Sequence, residues 1–299
     1  MEEEKEMKKL LLIYNPVSGM TKTRLSLQKA VEFYDSHDYL VTVCLVRRLE
    51  DFEKEIDFKS FDLIVCSGGD GTLNITVSFL IQKNLPAQIA YIPSGSTNDF
   101  AYSLGLSGDI DALLQNTVEG TPRWIDVGRF NTSRYFLYVA AFGLFTKVSY
   151  TTSQKAKNLM GHAAYILEGI KSLTDLKAYH MTAQLEEEEV EDDYILGMVT
   201  NSLSIGGFKN ILPVDTALDD GLFEIVLVKM PKSLVTLNEI VLSLLSEKPE
   251  ENQHIFYRKT SRVILRSEEK ISWALDGEFG GEENVVRIEN RRKLLSIIC

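Results

Sequence analysis

Residues 61–77, FDLIVCSGGDGTLNITV, decide how the rest of the chain is read. Leu63, Ile64, Val65 and Cys66 form a short apolar run of the kind that a strand buried on both faces shows. The run stops at Gly68 and Gly69, which lack a Cβ and let a backbone turn sharply or approach a ligand closely. Beyond Asp70 and Gly71, the residues Thr72, Leu73, Ile75, Val77 and Leu80 read as the first turns of a helix. A strand, a glycine turn and a helix N-terminus together aim unpaired N–H groups outward, which suits a phosphate. Asp70 would repel a naked phosphate, so a carboxylate facing that site calls for a metal ion between them. The plainer alternative is a strand-to-helix turn in which Asp70 caps the helix and the glycines serve only the turn.

The same pattern repeats on either side. Residues 10–14 read as a first buried strand that ends at Asn15, Pro16, Val17, Ser18 and Gly19, followed by a helical pattern through Leu25, Ala30 and Tyr34. No Gly-Lys-Ser/Thr follows, so this is not a Walker A loop. Residues 40–46 and 89–92 supply two more strands, the second ending at PSGSTNDFA, residues 93–101. Strands alternating with helices predict a parallel sheet whose ligands lie beyond the strands' C-terminal ends, where all three loops fall.

Near Gly128 the rhythm changes. Residues 134–141, 178–185, 194–200, 222–228, 262–266, 271–275 and 285–288 read as strands separated by turns, a mostly antiparallel second domain. The acidic run 186–193 is expected to be a solvated hairpin loop. Helical stripes at 159–170 and 234–245 are expected to face the core. The expected boundaries are 1–128 for an α/β domain and 129–288 for a β domain, with 289–299 returning to the first.

The chain has 299 residues, 44% of them hydrophobic and 25% charged, which suits a globular protein with a sizeable core. A formal net charge of −11 argues against nucleic acid as a partner, because phosphate backbones demand clustered Lys and Arg. Cys44, Cys66 and Cys299 show no CxxC spacing, and Cys44 and Cys66, inside apolar strand-like runs, read as small buried hydrophobes in a reducing compartment. The acidic start lacks a signal peptide, and no apolar stretch is long enough to span a membrane, so a cytoplasmic protein is expected.

Two acidic clusters occupy the second half. Residues 215–222, DTALDDGL, form a compact turn before a strand and could offer carboxylates and carbonyls to Mg²⁺, or be simple Asp-Gly turn chemistry. Asp276-Gly277-Glu278 follows an apolar strand; it reads as a hairpin turn or as a pair of carboxylates, one a general base for a hydroxyl nucleophile.

The order of these motifs resembles the catalytic-domain family of diacylglycerol kinases, specifically its soluble bacterial lipid kinases. The resemblance runs through NPVSG at 15–19, SGGDGTLN at 67–74, IPSGSTNDFA at 92–101, DVG at 126–128, LPVDTALDDGLFE at 212–224 and LDGEFGG at 275–281. It implies an N-terminal α/β domain like that of NAD kinases, a C-terminal β-sandwich and an active site in the cleft between them. It implies ATP and Mg²⁺ as cofactors. Asn15, Pro16, Val17, Ser18, Gly19, Gly69, Asp70, Gly71, Thr72, Leu73, Asn74, Ile75 and Ser96 would contact the nucleotide. Asp70 would hold the catalytic Mg²⁺ through water, with Asp99 and Asp126 in the supporting polar network. Asp220, with the carbonyls of Ala217 and Leu222, would bind a structural Mg²⁺. Glu278 would accept the proton, with Asp276 the second candidate.

Departures from the family pattern are Ser96 for Thr, Ile75 where many relatives carry Glu, and Val46 in place of a threonine. The expected reaction is transfer of the γ-phosphate of ATP to a lipid hydroxyl, diacylglycerol first, with phosphatidylglycerol and sphingoid bases as other acceptors. The lipid implies transient contact with a membrane surface, with Lys155 and Lys157 as candidates for its edge, and a homodimer is compatible. Two alternatives are an NAD kinase-like enzyme, which shares GGDGT, and a non-catalytic nucleotide- or lipid-binding regulator on the same scaffold.

Overall fold

The computed structural model describes residues 7–17, 25–85, 88–144, 176–209, 216–246 and 249–299. The expectations for Ser18, Gly19, Lys155, Lys157 and the helix at 159–170 lie outside the described residues. The chain divides into two compact units, Met1–Ile125 with Lys293–Cys299, and Asp126–Arg292.

The first unit is built on strands β1 (Lys8–Tyr14), β2 (Tyr39–Leu45), β3 (Leu63–Gly68) and β4 (Gln88–Pro93). They lie in the order β2-β1-β3-β4, all parallel, and the chain's last residues, Ser296 to Ile298, add a further parallel strand against β4. Leu10, Leu11, Leu12 and Ile13 are all fully buried, so consecutive residues of β1 are covered on both faces. That requires helices on both sides of the sheet. α1 (Leu27–Asp35) and α5 (Ile110–Glu119) join one core with Leu12, Val65 and Ile92, and Tyr34 Oη lies 3.0 Å from Thr117 Oγ1 to tie the two helices. α3 (Asp70–Gln82) packs on β3. α2 (Leu49–Glu53) and α4 (Asp99–Leu104) are short. α5 is not among the expected elements, although Ile110, Leu113, Leu114 and Val118 recur at helical spacing and all pack on this core. Cys44 and Cys66 are buried thiols, and burial pushes them up to about 11 and about 12.

The second unit contains β5 (Pro122–Phe130, which enters from the first unit), β6 (Arg134–Phe136), β7 (Val139–Gly143), β8 (Tyr179–Gln184), β9 (Glu189–Thr200), the short pair β10 (Ser204–Ile205) and β11 (Phe208–Lys209), β12 (Phe223–Lys229), β13 (Ile255–Thr260), β14 (Arg262–Leu275) and β15 (Glu278–Ile298). Its pairings are antiparallel. β14 lies against β8 over Ile264 to Ser267 and against β7 over Trp273 to Leu275, while β9 also pairs with both β7 and β8. The inner side chains meet in one core, where Trp273 contacts Phe142 at 5.0 Å and Phe130 at 5.4 Å between ring centroids.

Four expectations change here. The run 134–141 is two strands, broken at Leu137 and Tyr138 by a side chain from elsewhere in the fold. Residues 262–266 and 271–275 are one strand whose register shifts in the middle, which hides its period. Residues 285–288 lie within the long β15. The acidic loop is mostly strand: Glu189 to Asp193 pair with β8, and only 185–188 turn. Their alternating exposure leaves charges on a solvated face, so acidity marked the face and not the loop. α6 (Leu234–Leu245) buries Leu237, Ile240 and Val241 as expected but exposes Leu234, Val235 and Leu242.

Candidate active site

In the first unit the three loops come together because the strands that feed them are in register. Tyr14 pairs with Ser67, and Gly68 pairs with Pro93. The ladder runs one step further, with Asn15 N donating to Ser67 O at 3.0 Å and Ser94 N to Gly68 O at 2.8 Å. Asn15 then folds its loop inward. Its Oδ1 accepts from Val17 N at 3.1 Å, and its Nδ2 donates to Thr72 Oγ1 at 2.8 Å in the first turn of α3.

Gly69 and Gly95 cross in contact. A Cβ on Gly95 would sit 2.6 Å from Gly69 Cα, and one on Gly69 would sit 2.9 Å from Gly95 Cα. No side chain fits there, so both backbones are bare beside the N-terminus of α3, whose first internal bond is Leu73 N to Gly69 O at 3.0 Å. Bare backbone against a helix N-terminus is a cradle for a phosphate group. The residues present therefore fit the phosphates of a nucleotide.

Asp70 has a more local task than expected. It is 8% exposed, and its Oδ2 accepts from Asp99 N at 3.0 Å and Thr97 Oγ1 at 3.4 Å, while Oδ1 accepts from Phe100 N at 3.2 Å. It thus caps α4 from a different segment of the chain. Asn98, the residue at the cap position, has φ 50° and makes no capping bond; its side chain instead bonds Gly95 N at 2.7 Å and Gly95 O at 3.2 Å. Direct seating of a metal on Asp70 does not fit a buried carboxylate so engaged, whereas a water-bridged one is compatible with it. Asp99 is buried at the start of α4. Leu73 belongs to the core and its N–H is committed, so it offers a nucleotide nothing, a correction to its expected role. Pro16, Gly71 and Asn74 are half-buried, and Val17, Ile75 and Ser96 are exposed.

In the second unit one end of the sheet gathers the acidic motifs. Val139 pairs with Thr200, Thr200 with Glu224 and Glu224 with Lys259, a row across four strands, and Asp276 N donates to Val139 O beside it. Asp276 (φ 49°) and Gly277 (φ 85°) make the two-residue turn between Leu275 and Glu278. The two carboxylates part company there. Asp276 is 4% exposed and accepts from Leu137 N at 2.7 Å, Tyr138 N at 3.0 Å and Val139 N at 3.0 Å. Those bonds turn the backbone between β6 and β7 and leave Asp276 unsuited to taking a substrate proton. Glu278 is exposed, and among the described residues nothing pairs with its carboxylate.

The 217–222 turn leaves the same sheet end, just before β12. Leu222 N donates to Asp220 Oδ1 at 2.9 Å and Gly221 N to Asp126 Oδ2 at 2.6 Å. Asp126, fully buried, receives Asn290 Nδ2 at 3.2 Å, which also reaches Leu222 O at 3.2 Å. Among the described residues no three His, Cys, Asp or Glu side chains gather as a metal cage. The set present is one exposed carboxylate, Asp220, with backbone carbonyls, and Thr216 Oγ1, Glu224 Oε2 and Asn290 Oδ1 are buried oxygens without a hydrogen bond of normal geometry, Thr216 standing beside the Glu224 carboxylate. Oxygen donors of this kind fit Mg²⁺. Burial raises the Glu224 carboxyl to about 7. Asn290 had no local sequence signal, lying far along the chain from the turn it braces. Glu224 had one: it is the only charge within the apolar run 223–228.

Residues 9–130 match the diacylglycerol kinase catalytic domain, and residues 139–299 match the YegS C-terminal NAD kinase beta sandwich-like domain. The chain is 32% identical over 279 residues to a diacylglycerol kinase of Bacillus subtilis (strain 168), covering 92% of this chain and 91% of that one. A crystal structure of a candidate diacylglycerol kinase from Bacillus anthracis str. Sterne superposes with a TM-score of 0.76 at 24% identity, covering 99% and 97% of the two chains. An NAD kinase from Archaeoglobus fulgidus in complex with ATP shares the fold at a TM-score of 0.53 and 14% identity over 98% and 94% of the chains. Fold and motifs together define an NAD-kinase-like α/β unit joined to a β-sandwich unit. The chain belongs to the diacylglycerol kinase family.

Proposed function

We propose that this protein transfers the γ-phosphate of ATP to the hydroxyl of a lipid, diacylglycerol, giving phosphatidate. The observation that carries the reading is the Gly69–Gly95 crossing at the N-terminus of α3, a phosphate cradle in a chain of this family. Mg-ATP, when bound, supplies the phosphoryl group and the divalent charge that neutralises it. Asn15, Pro16, Val17, Gly69, Gly71, Thr72, Asn74 and Ser96 hold the nucleotide through backbone and hydroxyl contacts, and Ile75 lies at their margin. Asp70 fixes the loop and would support the catalytic metal. Asp220, with the carbonyls of Ala217 and Leu222, would hold a second, structural Mg²⁺. Glu278 takes the proton as the lipid oxygen attacks, and Asp276 keeps the turn that carries it in place. Phosphoryl transfer demands positioning and charge compensation more than covalent chemistry, which is what these residues offer. The acceptor resides in a bilayer, so the protein meets a membrane surface transiently.

The test is transfer of labelled γ-phosphate from Mg-ATP to a panel of lipids in mixed micelles, with NAD included as a soluble acceptor. Label in phosphatidate supports the full reading, and label in another lipid keeps the reaction and replaces the acceptor. Label only in NADP overturns it in favour of an NAD kinase. No label, with ATP still bound, points to a regulator.

A further inference from the structure

Glu224 is the least expected charge in the second unit. It sits in the apolar strand β12 at 2% exposure, where an ionised carboxylate costs several kcal/mol unless it is paired. Its nearest cation, Lys259 Nζ, stands 3.6 Å from Oε1, and Oε2 has no hydrogen-bond partner. Thr216 Oγ1 lies beside this carboxylate, is itself buried and has no partner of normal geometry. Asp220 is close enough to repel Glu224. The nearby N–H groups are taken: Gly221 N by Asp126 and Leu222 N by Asp220. Asn290 turns both its donor bonds to Asp126 and Leu222 and leaves Oδ1 buried without a donor. Arg292 packs near Gly221, where a Cβ would meet its Cδ at 3.3 Å and its Nε at 3.6 Å.

Three buried oxygens beside the turn, Glu224 Oε2, Thr216 Oγ1 and Asn290 Oδ1, therefore lack a hydrogen bond of normal geometry. Two carboxylates, a hydroxyl and carbonyls match the needs of a hard divalent cation in charge and in donor type. We propose that Glu224 is a further oxygen ligand of the cation held at the 217–222 turn, directly or through one water, with Thr216 beside it. The inference rests on the reading that the Asp220 turn binds Mg²⁺. It adds that the cation sits against β12, joining the turn to the sheet.

The experiment is Mg²⁺ titration of the full-length, nucleotide-free protein by calorimetry, repeated as Mn²⁺ binding by electron paramagnetic resonance. Thermal unfolding is measured with and without Mg²⁺. Glu224→Gln keeps shape and removes charge; it should weaken cation binding about tenfold or more, as loss of supporting ligands does elsewhere. In metal-free buffer the same change should not lower Tm, because it relieves a buried charge. Thr216→Val should weaken binding by a smaller factor, and it decides the matter if the first variant does not fold. Unchanged cation affinity in Glu224→Gln and Thr216→Val, with binding lost in Asp220→Asn, overturns the inference and leaves the Asp220 reading intact. An equal drop in Tm with and without Mg²⁺ would make Glu224 only a partner of Lys259 and overturn it as well. No cation bound by the unsubstituted protein overturns both.

Discussion

Asp276 and Glu278 stand two residues apart and serve opposite ends. The first is enclosed by backbone N–H groups; the second is exposed at the end of the β14–β15 hairpin. Glu278→Gln should therefore lower turnover by about 10²- to 10⁴-fold, the range for a lost general base, while Tm stays unchanged. Steady-state kinetics and a thermal scan on the same preparation check this, and retained turnover would remove Glu278 from the chemistry. Gly95 makes the opposite case, a residue whose worth is the absence of a side chain. Gly95→Ala would push a methyl against Gly69 Cα and Asn98 Oδ1. It should cost about 1–3 kcal/mol in urea unfolding, as overpacking does, and weaken ATP binding measured by calorimetry. ATP binding at full strength would mean the crossing is not the phosphate cradle.

Elements are joined here by side chains that reach across the fold. The β6–β7 break exists because Asp276 collects three consecutive N–H groups. Asp276→Ala leaves those donors buried without an acceptor and should destabilise by about 3 kcal/mol or more, read from denaturant midpoints. A loss as small as an exposed residue's would show that the turn holds itself. The β8–β9 hairpin carries a pH response. His180 Nδ1 lies 2.9 Å from Asp193 and Nε2 3.0 Å from Glu191, while the adjacent Asp192 pairs with Lys229 at 2.8 Å. The hydrogen bonds to Asp193 and then Glu191 raise the His180 pKa from its ordinary 6.5. A raised histidine favours the folded state fully below about pH 6.5 and loses that contribution as pH rises through the folded value. Tm should fall slightly across that window, and His180→Gln should flatten the profile. The effect is small, because the site is solvated. An NMR titration placing His180 below 6.5 would reverse the sign.

At the scale of the whole molecule, the last residues of the chain complete the first unit. Leu295 and Ile297 are fully buried and Ile298 is 8% exposed, beside β4. Each buried side chain of this size contributes about 1.5–3 kcal/mol. Truncation after Arg292 thus removes a large part of the roughly 5–15 kcal/mol that holds a domain folded, and leaves β4 as an open edge. The truncated protein should be insoluble or lack a cooperative transition, and soluble, fully active protein would refute the role of this strand. Much of this architecture was legible beforehand. Period and apolar runs gave the four parallel strands, the antiparallel second half and the helix at 234–245, because burial on one or both faces writes itself into local composition. The glycine loops, the Asp276–Gly277 turn and the family were legible from short motifs. Three things were decided only by tertiary structure: that Asp70 caps a helix begun at Asp99, that Asp276 rather than Glu278 is enclosed, and that Glu224 lies beside the Asp220 turn. Each depends on which backbone donors arrive from distant parts of the chain, and a carboxylate's partners at that range leave no mark on its own neighbours in sequence.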